Sequence, residues 1–114
     1  MLDKLITRVF KDRNGAHAEH WVTKSFAQHE ALGEFYDDVI SAVDRYVEAH
    51  QGVFGQMESA PDQIPDFTAH LRDELIWITE NRSKIAKDVP ALENLLDELT
   101  GVYMKTLYKL ENLR

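Results

Sequence analysis

The stretch SFAQHEALGEFYDDVISAVDRYVEAH, residues 25–50, reads as one long amphipathic helix, and the width of its apolar surface decides the fold. Ser25 with Gln28 three residues on forms a capping-box start. Leu32, Phe35, Val39, Ala42 or Val43, and Tyr46 step by three and four and so share one face. A second row, Tyr36, Ile40, Val43 and Val47, lies beside it. Two rows suit a helix covered by two neighbours, as in a four-helix bundle. Gly52 is the expected terminator.

Working outward, Leu2, Leu5, Ile6, Val9 and Phe10 have helical spacing, and the pattern resumes at His17, Trp21 and Val22. Asn14-Gly15 is a turn dipeptide, but no apolar alternation flanks it as a hairpin would require, so one helix over about 2–23 is expected. Gly15 and Gly101 suggest close approach of another backbone. On the far side, VFGQMESAPDQIPD, residues 53–66, carries two prolines and a glycine and is the one long connection, with Val53 and Phe54 expected to fold back onto the bundle. Phe67, Leu71, Leu75, Ile78 and Ile85 place a third helix over about 66–86. Leu92, Leu95, Leu96, Leu99, Val102, Tyr103, Leu107, Leu110 and Leu113 place a fourth over about 90–113, with Pro90 in its first turn. The second helix accordingly spans about 26–50. The expectation is a single all-α domain, residues 1–114, folded as an antiparallel four-helix bundle with one longer crossover between helices 2 and 3.

Composition bounds the function. Hydrophobic residues make up 44% and charged residues 29%, which are ordinary globular values. With no cysteine, disulfides and thiol catalysis are excluded, and any metal must be held by histidine and carboxylate. A net charge of −7 argues against a nucleic-acid partner, because such binding depends on lysine and arginine displacing counterions. No run approaches the roughly 20 apolar residues of a membrane span, and MLDKLITRVFKDR lacks a signal-peptide core, so a cytoplasmic protein is expected. Neither a phosphate-binding glycine loop nor a nucleophile elbow is present.

The residues that could carry chemistry are His17, His20 and His29 near the first turn, and Asp44 with Glu48 on the second helix. His17 and His20 project to one side of their helix, and the four-residue spacing of Asp44 and Glu48 lets two carboxylates reach one cation. His29 and Asp44 are fifteen residues apart, about 22 Å along a helix, so they cannot share an ion within one copy. A shared site needs a second copy in an isologous two-fold contact. A di-iron centre inside one bundle would need Glu-x-x-His on two helices, and no histidine here follows a glutamate at that spacing. The plain alternative is that the histidines pack at the turn and the carboxylates form a solvated face.

The run from His17 to Glu48 resembles the Dps proteins, mini-ferritins of the ferritin-like superfamily that oxidise iron at sites shared across a two-fold interface. Counting from His17 puts His29 twelve residues on, Asp44 fifteen beyond that and Glu48 four later, in the family's register, and His20-Trp21 followed by Phe26-Ala27-x-His29-Glu30 has its texture. The chain departs from the pattern at Gly33, where the family has an acid, and at Trp21, which follows His20 rather than His17. Alignment on His20-Trp21 instead deletes three residues. The resemblance covers roughly the first 50 residues and implies a compact, divergent branch, viral or accessory. It implies an oligomer, at least a dimer, holding iron or another divalent metal through His17, His20, His29, Asp44 and Glu48, with ferroxidase-like activity. The alternative is a non-enzymatic bundle that binds a protein or small ligand and has lost the metal chemistry.

Overall fold

The computed structural model describes residues 1–113 and is all-helical: α1 (Leu2–Val22), α2 (Phe26–Phe54), α3 (Phe67–Glu80), α4 (Arg82–Ala86) and α5 (Pro90–Asn112). These divide into two compact units, Met1–Gln63 and Ile64–Arg114, each a helical hairpin with its own small core. Among the described residues no helix is long and apolar enough to cross a membrane.

In the first unit α1 packs on α2. Asn14-Gly15 is absorbed into a continuous α1, as expected. The turn between the helices is closed by a relay rather than a simple capping box. Ser25 Oγ accepts the Gln28 N–H at 3.2 Å, as its position predicts. The Gln28 side chain, however, accepts the Thr23 hydroxyl at 2.9 Å, and Thr23 Oγ1 in turn accepts the Ser25 N–H at 3.3 Å. The end of α2 also differs from expectation. Gly52 stays helical and Gly55, at φ +95°, makes the exit, because a helix stops where its next residue can leave right-handed geometry. Val53 and Phe54 therefore continue α2, about three-quarters exposed, rather than folding back.

The core of this unit is Ile6, Ala16 and Val43. On α2 Val43 is buried, and Leu32, Tyr36, Val39, Ile40 and Val47 from both apolar rows are half-buried, whereas Phe35 and Tyr46 on the outer edge of the first row are 44% and 53% exposed.

In the second unit the expected third helix is interrupted at Asn81. Its amide side chain donates to the Trp77 carbonyl at 2.8 Å, and its backbone at φ −102°, ψ 8° ends α3 and starts α4. Such local competition by asparagine is why it favours helix ends. Asp66 caps α3 through its side chain to the Ala69 N–H, and Lys87 and Asp88 in left-handed conformation turn the chain into Pro90, the first residue of α5. Ile78, Ala86 and Leu107 form the core. Around it Arg82 reaches across to Glu93 and, through two nitrogens, to Asp97 at 2.7 and 2.8 Å, and Arg72 pairs with Glu111. The Arg82 guanidinium holds the Asp97 carboxyl below its usual pKa.

Among the described residues a Cβ built at Gly15 or Gly101 meets no atom within 4 Å, so neither glycine serves a close approach there. Gly15 is then a pure loss of helix propensity. Gly15→Ala is expected to stabilise the chain by about 0.5–1 kcal/mol, read as a higher urea midpoint with unchanged slope.

Candidate functional site

The short turn Thr23-Lys24-Ser25 brings the end of α1 against the start of α2 and so gathers His17, His20 and His29 in one place. His20 and His29 stack with ring centroids 3.6 Å apart at 19°. Each is tied to the other's backbone: His20 Nδ1 donates to the His29 carbonyl at 2.6 Å, and His29 Nδ1 donates to the His20 carbonyl at 2.8 Å. A carbonyl can only accept, so both Nδ1 atoms carry the proton and, in the neutral rings, both Nε2 atoms keep a lone pair. Among the described residues neither Nε2 has a hydrogen-bond partner.

His17 lies one turn before His20, with the two rings edge-on at 6.1 Å. Its ring stacks on Tyr36 at 3.9 Å and tilts against Trp21 at 4.2 Å, and Arg13 lies over the other aromatic system at 5.3 Å from the Tyr36 centroid. Partial burial lowers the His17 pKa, the positive charge at Arg13 and the neighbouring His20 act the same way, and Asp37 opposes them. The surroundings therefore favour the uncharged form of this ring.

Gly33 explains how His20 fits. A Cβ there would stand 3.3 Å from His20 Cε1, tighter than ordinary contact, and 3.5 Å from its Nδ1. The missing side chain lets the imidazole lie on the α2 backbone and reach the His29 carbonyl. The position at which the family resemblance expects an acid is thus a packing position for a histidine ring. A glycine three to four residues after a histidine at a helix start is the signal that sequence reading could have used.

Asp44 and Glu48 are exposed on α2, and neither makes an ion pair among the described residues. Asp44 also contributes to the lining of an apolar groove of about 320 Å³ along α1 and α2, with Ile6, Phe10, Ile40, Val47 and Met57. The helix between keeps His29 and Asp44 about 22 Å apart, as the spacing requires. Among the described residues no three histidine, aspartate or glutamate side chains of one copy converge as a metal site. The three histidines come together, then, and the carboxylate pair stands apart from them.

Comparison with known proteins adds a family without an assigned role. A protein of Enterobacteria phage T4, described as an uncharacterized 14.6 kDa protein in the mobD-ri intergenic region, is 27% identical over 99 residues, covering 82% of this chain and 75% of that protein. No solved structure matches. The model of DUF5856, a family of unknown function, matches residues 20–110, a span that contains His20, His29, Gly33, Asp44 and Glu48 and leaves His17 outside. On that match the chain belongs to the DUF5856 family.

Proposed function

We propose that this chain is a divergent, ferritin-like protein of the Dps type that binds a divalent metal between two copies, His20 and His29 of one facing Asp44 and Glu48 of the other, with His17 beside them. The observation that supports it best is the reciprocal pairing of His20 and His29. Ligating histidines characteristically donate their second nitrogen to a carbonyl or carboxylate, which fixes ring orientation and tautomer and leaves Nε2 as the donor. Both rings have that arrangement. Two helical hairpins joined by one long connection, residues 55–66, is also the element order of a ferritin-like four-helix chain.

Two imidazole nitrogens and two carboxylates suit ferrous iron, zinc or manganese. Iron is the substrate the resemblance implies, and at such a site it is open to oxidation by dioxygen or peroxide. The chain's own contribution is to hold the His20 and His29 rings oriented through their Nδ1–H bonds, and to present two carboxylates, unpaired among the described residues, at the four-residue spacing that reaches one ion.

A second reading, a non-enzymatic interaction module for a protein or small ligand, is favoured by Gly33, which removes the acid the resemblance expects and serves packing instead. One experiment separates the two. Calorimetric titration of zinc, a redox-silent probe, into chelator-treated protein is expected to give about one ion per chain. His20→Ala with His29→Ala should weaken binding by about a hundredfold or more. Absence of binding by the unmodified chain would leave the interaction module.

A further inference from the structure

The helix α5 carries more apolar surface than its own unit covers. Leu107 is buried and Leu96 and Tyr103 are half-buried, but Leu92, Leu95, Leu99 and Val102 are 48%, 60%, 47% and 61% exposed. These four step by three, four and three, the alternation that makes a straight seam for another helix. Part of the seam is concave, because Leu92, Leu95 and Leu99 join Ile85, Ala86 and Leu96 around an apolar groove of about 320 Å³.

We infer that this seam docks on the same seam of a second copy, with the two α5 helices antiparallel. The argument for a second copy is charge complementarity of the seam with itself. Taking Leu92, Leu99 and Thr106 as a positions and Leu95, Val102 and Lys109 as d positions, an antiparallel pair centred between Leu99 and Val102 stacks Leu99 of each copy on Val102 of the other. Leu95 then meets Thr106, and Leu92 lies along the methylene stem of Lys109, whose ammonium reaches water. In antiparallel pairs the flanking g positions face each other. Here they are Glu98 and Lys105, seven residues apart, and in this register Glu98 of each copy meets Lys105 of the other, twice per dimer. Neither residue makes an ion pair within the described chain. The parallel alternative sets Glu98 against Tyr103, with no charge to answer it. Antiparallel alignment also opposes the helix dipoles.

The contact uses residues of α5 alone and goes beyond the metal reading, so it is tested without metal. In sedimentation velocity of the full chain in chelator, at rising concentration, a reversible dimer is expected. Glu98→Lys turns both pairs repulsive and should weaken that dimer about tenfold, and Glu98→Lys with Lys105→Glu should restore it to near the original strength. Circular dichroism of each variant verifies that the helices are retained, since both positions are on the surface. A chain that stays monomeric, its seam covered by its own remaining residues or by solvent, overturns the inference. So does a dimer indifferent to Glu98→Lys, or one that the double exchange fails to restore. A chelator-resistant dimer that binds no zinc sustains this contact while sinking the metal site, and a chain that is monomeric in chelator but pairs on adding zinc does the reverse.

Discussion

Leu107→Ala is expected to cost about 2–3 kcal/mol of stability, measured as a lower urea midpoint of the helical signal. Leu107 is 8% exposed and, among the described residues, is one of three buried side chains in the second unit, with Ile78 and Ala86. Removing its branched end takes away buried apolar surface from the small core of the second unit. The figure sits low in the usual range for such truncations, since no side chain among the described residues is wholly buried and a half-open site collapses more readily than a sealed one. Met104, three residues earlier on the same helix and 59% exposed, supplies the contrast: Met104→Ala should change stability by no more than about 0.5 kcal/mol. Equal effects at the two positions would mean that the second unit is not organised around the Ile78, Ala86 and Leu107 core.

The thinness of those cores also explains which features could be read from residues alone. Helix existence follows from spacing, and the α1, α2 and α5 stripes were legible for that reason. The choice between Gly52 and Gly55 as terminator was not, because both glycines permit a helix end and the decision falls to the hydrogen bond from the Gly55 N–H to the Gln51 carbonyl at 2.8 Å. The break at Asn81 is of the same kind: the apolar rhythm from Phe67 to Ile85 runs straight through it, and only the side-chain bond to Trp77 stops the helix. Covering also escapes periodicity. Two apolar rows on α2 are visible as rows, but which of their residues meet α1 depends on how α1 rolls, and that is set by small contacts such as Ala16 against its partner helix.

The candidate site was half legible. Histidine and carboxylate spacing picked out the candidate residues and the 22 Å along α2 that separates the two groups. It did not identify the exchange of Nδ1–H bonds between His20 and His29, which requires the turn at Thr23–Ser25 to bring two positions nine residues apart face to face. Gly33, read as a missing ligand, turns out to be what gives the His20 ring its place.

Mixing two inactive variants is expected to regenerate binding. His20→Ala with His29→Ala removes the nitrogen donors of one chain, and Asp44→Ala with Glu48→Ala removes the oxygen donors of another. Each variant alone should lose zinc affinity by about a hundredfold or more, because half a ligand set holds a divalent ion poorly. When the two are combined in equal amounts and allowed to exchange, half of the two-fold pairs contain one chain of each kind. Every such pair carries one site with both its histidines and both its acids and one site with neither, so about a quarter of the original capacity should return. The same fraction should reappear in the ferric absorbance that follows aerobic addition of ferrous iron. Recovery has no explanation within a single copy, where a rigid α2 keeps His29 and Asp44 too far apart to touch one ion. If both variants lose binding and the mixture stays empty, the histidines and carboxylates do not meet across copies. If either variant binds as the unaltered chain does, the residues altered in it are not ligands, and where that variant is His20→Ala with His29→Ala the stacked histidines are a fastening of the α1–α2 turn and nothing more.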